Sequence, residues 1–312
     1  MRPSWVAILV LPSAALVVAI RASANSAAHA GPWRRVLERL TRDRASLAAA
    51  WFVLALCAIA ALAPRLALYA PDYQDADALN AHPLSPTHAL GTDLLGRDLL
   101  SRLMHGGRVS LAVAMLSVLL STTVGVVYGA TAGFYGGRVD SIMMRTLDAA
   151  ISVPRVLLLL AVFALWGHQS ITALVLLMGL TGWFGISRQV RAQVSAARPR
   201  EYAVAARALG APDARVLWRH ILPNALSPAI VAASLGIGNV IILEAGLSYL
   251  GFGVQPPRPS WGNIIQDSGG VLSPFWWMAI FPGALIVATV LAFNMIGDGL
   301  RDAMDPRQLP RS

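Results

Sequence analysis

Apolar positions along the chain gather into long runs separated by short polar segments rich in arginine. A membrane-crossing helix needs roughly 20 mostly apolar residues. Six runs approach or exceed that length: 45–68, 109–132, 142–166, 170–187, 228–249 and 276–296. The pattern predicts an all-α, polytopic transmembrane helical bundle with six core spans. A further apolar stretch, "WVAILVLPSAALVVAI", precedes them, short and interrupted by Pro12. The "ASANSAAHA" after it has the small-residue character of a signal-peptidase site. Three readings stay open for residues 1–30: a signal-like segment, an extra helix with its N-terminus outside, or a start placed upstream of the true one. A cleaved export signal would leave Arg34–Arg44 outside, against the arginine pattern that follows.

Arginine sets the orientation, because basic residues collect in cytoplasmic loops. Arg34, Arg35, Arg39, Arg42 and Arg44 precede the first span, and Arg138 and Arg145 sit at the second-to-third junction. The fourth and fifth spans are joined by a segment with Arg188, Arg191, Arg198, Arg200, Arg207, Arg215 and Arg219; Arg301, Arg307 and Arg311 follow the sixth. Six alternating crossings put all of these on one side, hence cytoplasmic. The other side receives Arg65, Arg97, Arg102, Arg108 and Arg258. The expected organisation is an N-terminal extension (1–44) with a basic cytoplasmic segment, a first span and outer loop (45–108), a membrane core (109–300) carrying a cytoplasmic loop (200–225), and a cytoplasmic tail (301–312).

Composition agrees with the pattern. Charged residues are 13% of the chain and mean hydropathy is +0.60, against about 25% charged in a soluble domain. A net charge of +9 would suggest nucleic acid in a soluble protein; distributed between apolar runs it reads as topology, with membrane lipid as the expected partner and no nucleic acid. All 25 basic residues are arginine. Without lysine the chain holds no P-loop ATPase site and no Schiff-base chemistry. Cys57 is the only cysteine, so no intrachain disulfide or thiolate metal cluster forms. The six histidines show no i, i+4 pair, so no metal site is expected. "GDG" at 297–299 resembles an intramembrane aspartyl protease motif, but no second membrane aspartate faces it; it is expected to end the sixth helix. No catalytic residue is assigned.

Two charges, Arg155 and Glu244, fall inside predicted spans. A charge at a helix centre costs about 2.5–3.5 kcal/mol on the insertion scale, so such residues face a cavity or a partner. They are candidates for a translocation path or for pairing with each other, and Pro154 is expected to break the helix beside Arg155. Trp261, Trp276 and Trp277 suit an interfacial belt.

The most informative polar segment is "REYAVAARALGAPDARVLWRHILPNALSP", 200–228, with four arginines and an apolar stripe. Gly210 stops one helix, Pro212 and Asp213 start another, and Pro223 is expected to end it. This helix, turn, helix element is too polar to cross a membrane. It suits either an amphipathic surface lying on anionic lipid or a rigid knob for a groove on a cytoplasmic partner.

These residues resemble the EAA loop of ABC-importer permeases, a pattern of EAA, three residues, glycine and an apolar-Leu-Pro end. Ala205, Ala206, Gly210, Leu222 and Pro223 match. The motif's glutamate falls at Val204, with Glu201 nearby on another face, and His220 stands where the pattern has isoleucine. "HPLSPTHALGTDLLGRDLLSRLMHGGRVSL", "ILEAGLSYLGFGVQPPRPSWGNII" and "FPGALIVATVLAFNMIGDGLRDAMDPR" resemble the C-type permeases of the dipeptide, oligopeptide and nickel importers. The resemblance spans about 44–307. It implies the type I ABC importer permease fold in a bacterial inner membrane, a homologous B-type permease chain, two ATP-binding subunits and an extracytoplasmic binding protein. ATP and Mg would be held by those partner subunits, and no cofactor by this chain. The implied coupling loop comprises Glu201, Ala205, Ala206, Arg207, Gly210, Leu222 and Pro223. The implied substrate is a di- or oligopeptide, with nickel, glutathione or another small solute as alternatives. An intramembrane hydrolase is the distant alternative, and the chain lacks a convincing nucleophile and base for it.

Overall fold

The structure is a computed structural model, describing residues 40–41, 43–166, 170–269 and 275–304. The apolar N-terminal stretch and the end of the tail lie outside the described residues. The first predicted span is helix α1 (Arg44–Leu66). Its start is fixed by Asp43, whose carboxylate accepts from the amides of Ala45 and Ser46. The Ser46 hydroxyl, aided by those amides, holds the Asp43 carboxyl below the usual carboxylate range.

The second span is far longer than the apolar run. Helix α2 runs from Leu99 to Tyr135, 37 residues, or about 55 Å against a hydrocarbon core of about 30 Å. It starts early because Asp98 caps it, accepting from the Ser101 amide at 2.8 Å, and because Arg102 in its first turns is neutralised. Arg102 and Arg97 both bond to Asp93 and to Asp267. Asp267 is 165 positions from Arg102, so this cluster ties the outer loop before α2 to the one after the fifth span.

The third predicted span, 142–166, is not one straight helix. Helix α3 (Gly137–Ile151) and helix α4 (Arg155–Trp166) meet at 70°. Pro154 removes an amide donor and disfavours helical backbone at Val153, so the turn falls where the sequence placed a break. The misreading lies in α3: it carries Arg138, Asp140, Arg145 and Asp148, and Leu147 is its only buried side chain. It is an amphipathic helix tied to its neighbours by ion pairs from Arg188 to Asp148 and Arg191 to Asp140, and by Tyr128 with Thr146.

The fourth span is also broken, by 41°, between α5 (Ile171–Gly182) and α6 (Phe184–Ala197). Next come α7 (Glu201–Ala208) and α8, the unbroken sequence of Asp213–Arg215, a π-helical Val216–Ile221 and Leu222–Ala225. Helix α9 (Ser227–Tyr249), the short α10 (Trp261–Asp267) and α11 (Trp277–Met304) complete the bundle. Four helices are long and apolar enough to cross alone, and six spans result if each bent pair counts as one. "GDG" does not end α11. The helix runs through it, and a Cβ at Gly299 would lie 2.1 Å from the Ser46 hydroxyl, so glycine there permits close approach to α1.

Helix α2 is the centre of the bundle, touching α1, α3, α5, α6, α9 and α10. Its contact with α6 is the most extensive. Gly125, Gly129 and Gly133, spaced by four, face the carbonyls of Trp183, Ser187 and Arg191, also spaced by four. A Cβ at Gly129 would fall 2.2 Å from the Ser187 carbonyl oxygen. This is the small-xxx-small contact by which helices approach in lipid, where dispersion at short range takes the place of the hydrophobic effect.

Candidate functional site

The element at 200–225, expected on the cytoplasmic side, is built on α6. Helix α7 ends in a Schellman turn. The Ala211 amide bonds to the Ala206 carbonyl and the Gly210 amide to the Arg207 carbonyl. Gly210 sits at φ +82° with open space around its Cα, so glycine is required for backbone conformation and not for proximity. One face of α7 and α8 is buried: Ala203, Ala206, Val216, Leu217, Ile221 and Leu222 pack on Ile186, Val190 and Val194 of α6 and on Phe134 of α2. The opposite face is exposed and apolar, with Leu209 at 88%, Val204 at 51% and Trp218 at 47% exposure.

The residues implied by the motif therefore divide. Ala206 and Leu222 root the element, whereas Glu201, Ala205, Gly210 and Pro223 lie on its exposed side. Arg207 is half-buried, its guanidinium carbon 5.3 Å from the Phe134 ring centre, with Asp213 3.9 Å from its Nε. Of the apolar stripe of Tyr202, Ala205, Ala206 and Leu209 only Ala206 is buried. Pro223 does not end its helix either. The wider π turn before it sits where a proline lacks its amide, and helical backbone continues to Ala225.

Arg155 and Glu244 are not paired; each has other partners. Arg155 opens α4 and reaches α5, donating Nη2 to the Met178 carbonyl at 2.7 Å and Nε to the Thr181 hydroxyl at 3.1 Å. It thus sits at the C-terminal end of α5, where a cation is favoured, and holds the start of α4 against the α5–α6 bend. Glu244 is fully buried on α9. Its carboxyl accepts from Ser110 of α2 at 2.9 Å and from Ser248 at 2.7 Å. Ser110 in turn accepts the Trp261 amide, and Ser248 accepts the Val254 amide. Ser260 and Asn263 form a reciprocal capping box that starts α10. One carboxyl thereby joins α2, α9, the outer loop and α10.

That network explains a difference from the expected aromatic belt. Trp276 is exposed, but Trp261 and Trp277 are buried. Their indole nitrogens donate to the carbonyls of Leu103 and Thr92 at 3.1 Å, so they pin α10 and the start of α11 beneath the outer loops. Sequence reading also missed the glycines of α2, although the G-x-x-x-G spacing at Gly125, Gly129 and Gly133 was there to find. Among the described residues no group of three or more His, Cys, Asp or Glu could hold a metal ion.

Comparison with known proteins gives consistent matches. Residues 125–309 match the family described as binding-protein-dependent transport system inner membrane component. Residues 31–83 match the N-terminal transmembrane domain of oligopeptide transport permease C. The chain is 43% identical over 279 residues to the glutathione transport system permease protein GsiD of Pectobacterium atrosepticum, covering 88% of this chain and 91% of the relative. It is 37% identical to the dipeptide transport system permease protein DppC of Bacillus subtilis, covering 88% and 84%. It is 36% identical to the oligopeptide transport system permease protein OppC of the same organism, covering 88% and 90%.

Proposed function

The chain belongs to the inner-membrane components of binding-protein-dependent transport systems, and on that premise we propose that it moves di- or oligopeptides as the C-type permease half of an ABC importer. The names of the dipeptide and oligopeptide relatives support the substrate class. Glutathione, itself a peptide, is the second reading, favoured by the relative at 43% identity. The partners in this reading are a B-type permease chain, two ATP-binding subunits that hold ATP and Mg, and an extracytoplasmic binding protein. This chain supplies no catalytic group.

The observation that carries the coupling role is the cytoplasmic element at 200–225: an exposed apolar tip rooted rigidly in α6. Leu209, Val204 and Trp218 present area for a hydrophobic groove, and Arg215 and Arg219 stand exposed beside them for carboxylates at its rim. A push on the tip is delivered to α6 through the packed contacts of Val190, Val194 and Ile221. It passes to α2 through the glycine contacts. ATP does work here only through its different affinity for the two arrangements of the assembly. Glu244 and Arg155 hold this scaffold in shape in the present arrangement.

The test is uptake of a labelled dipeptide by cells carrying the whole operon with and without this chain, with glutathione and nickel uptake in parallel. Chain-dependent dipeptide uptake is expected. Chain-dependent uptake of nickel alone would replace the substrate while leaving the architecture intact.

A further inference from the structure

Five arginines fall on the outer side, and their surroundings differ. Arg97 and Arg102 are spent on Asp93 and Asp267. Arg108 and Arg258 are not: among the described residues neither guanidinium has a hydrogen-bond or ion-pair partner. Both instead line one cavity of about 400 Å³ at the outer end of the bundle, together with His105 and Asp72. Arg108 is half-buried on α2, nine positions from its start, and Arg258 is exposed on the loop between α9 and α10. A half-buried guanidinium with five donors and no acceptor retains a desolvation cost that a bound anion would offset.

We propose that this cavity receives the C-terminal carboxylate of the transported peptide, held by Arg108 and Arg258. This rests on the peptide reading above. The volume lies in the range of small-ligand sites, about 300–1,000 Å³, and accommodates the end of a peptide better than the flat face of a docked protein. Its wall is stiff, since Pro257 and Pro259 flank Arg258. Val109, Ala112 and Ile171 supply apolar surface for a side chain. Guanidinium groups bind carboxylates by paired, charge-assisted hydrogen bonds. Asp72 lines the same cavity without an ion pair to either arginine, leaving a carboxylate for a cationic group of the peptide. His105 commits Nδ1 to the Ser101 carbonyl at 2.9 Å, which leaves Nε2 for a polar group of the peptide.

The experiment uses the complete transporter in proteoliposomes, with Ile171→Cys placed in the cavity wall and Cys57→Ala removing the natural thiol. Protection of that cysteine from a thiol reagent is measured against a free-acid dipeptide and its C-terminal amide, with dipeptide uptake followed in parallel. The free acid is expected to protect at about tenfold lower concentration than the amide, the equivalent of one charge-assisted hydrogen bond. Arg108→Gln should erase that preference, Arg108→Lys should keep part of it, and Arg258→Gln, on an exposed loop, provides a second variant free of folding demands. Equal protection by acid and amide, or a preference that survives both glutamine variants, would overturn the site while peptide uptake stands. Protection that needs the binding protein but no peptide would overturn it in favour of an acidic partner surface. Absence of chain-dependent peptide uptake would remove the peptide reading first, and this site with it.

Discussion

The close approach of α2 and α6 makes a graded prediction. A Cβ at residue 129 would lie 2.2 Å from the Ser187 carbonyl oxygen and 2.9 Å from its Cα. Ordinary carbon contacts begin near 3.5 Å, so Gly129→Ala requires the two helices to part by roughly 1 Å. Overpacking of this kind costs about 1–3 kcal/mol. Alanine recovers about 1 kcal/mol of helix propensity, so the net loss for Gly129→Ala is about 0–2 kcal/mol. Gly129→Val adds a branched side chain to the same wall and should lose about 3 kcal/mol or more. The flanking contacts rank the series: 2.6 Å at Gly133 and 2.9 Å at Gly125, so Gly133→Ala should cost less than Gly129→Ala, and Gly125→Ala less again.

The assay is the thermal midpoint of the purified assembly in detergent, followed by ATP hydrolysed per peptide taken up. Gly185 on α6 is the control, because a Cβ there meets nothing within 4 Å. Gly185→Ala should be neutral or stabilising by up to about 1 kcal/mol. Gly129→Val should lower the midpoint and raise the ATP consumed per peptide, since α6 would no longer move with α2. A Gly129→Val assembly with the wild-type midpoint and coupling ratio would refute the claim that this contact holds α6.

Gly210→Pro should insert normally yet uncouple ATP hydrolysis from uptake, because φ +82° is closed to proline; coupled uptake at the wild-type rate would count against the role given to 200–225. Glu244→Ala strands the buried hydroxyls of Ser110 and Ser248 and should cost about 2–5 kcal/mol, whereas Glu244→Gln, able to accept from one and donate to the other, should cost about 1 kcal/mol. Equal midpoints for those two variants would show that the network contributes little. Arg102→Met leaves Asp93 buried with only Arg97 and should cost about 3 kcal/mol, the low end for breaking a buried pair; a midpoint matching the wild type would show that Arg97 suffices alone.

The spans were legible because lipid imposes one simple rule, a run of apolar residues long enough to cross, and arginine marks the side. What that rule cannot show is a break. Residues 142–151 have enough Ile, Met, Leu and Ala to extend the run, yet they belong to a charged, mostly exposed helix set at 70° to the apolar one that follows. Helix ends failed for the opposite reason: α2 begins ten residues before its apolar run because Asp98 caps it and Asp93 and Asp267 neutralise Arg102, and the second of these is remote in sequence. Trp261 and Trp277 carry the composition of a belt, but the carbonyls that hold their indoles come from Leu103 and Thr92, which no local pattern reveals. At Glu244 the i, i+4 serine was readable and Ser110 was not. In the cytoplasmic element the turn at Gly210 was readable, whereas the division between root and tip was not, because helical spacing alone does not say which face meets α6.

In the proposed coupling, the positions of the breaks decide where a push on the 200–225 tip is absorbed. Below Trp183 the α6 backbone is held at every fourth residue against α2, so this pair has little freedom to slide or bend without steric clash. The continuous i, i+4 hydrogen bonding of the fourth span is interrupted at Gly182–Trp183, just above that contact. Arg155 bonds to Thr181 and Met178 immediately outward of the same bend, so a change of angle there is carried at once to the start of α4 and to the 70° turn beneath it. At the outer end the Glu244 network fastens α2 to α9 and α10. The chain is therefore stiff between tip and α2, stiff again around Glu244, and jointed at 182–184 and 152–154. Motion entering from 200–225 has those two joints as its outlets, both of them in the half of the bundle formed by α3 to α6.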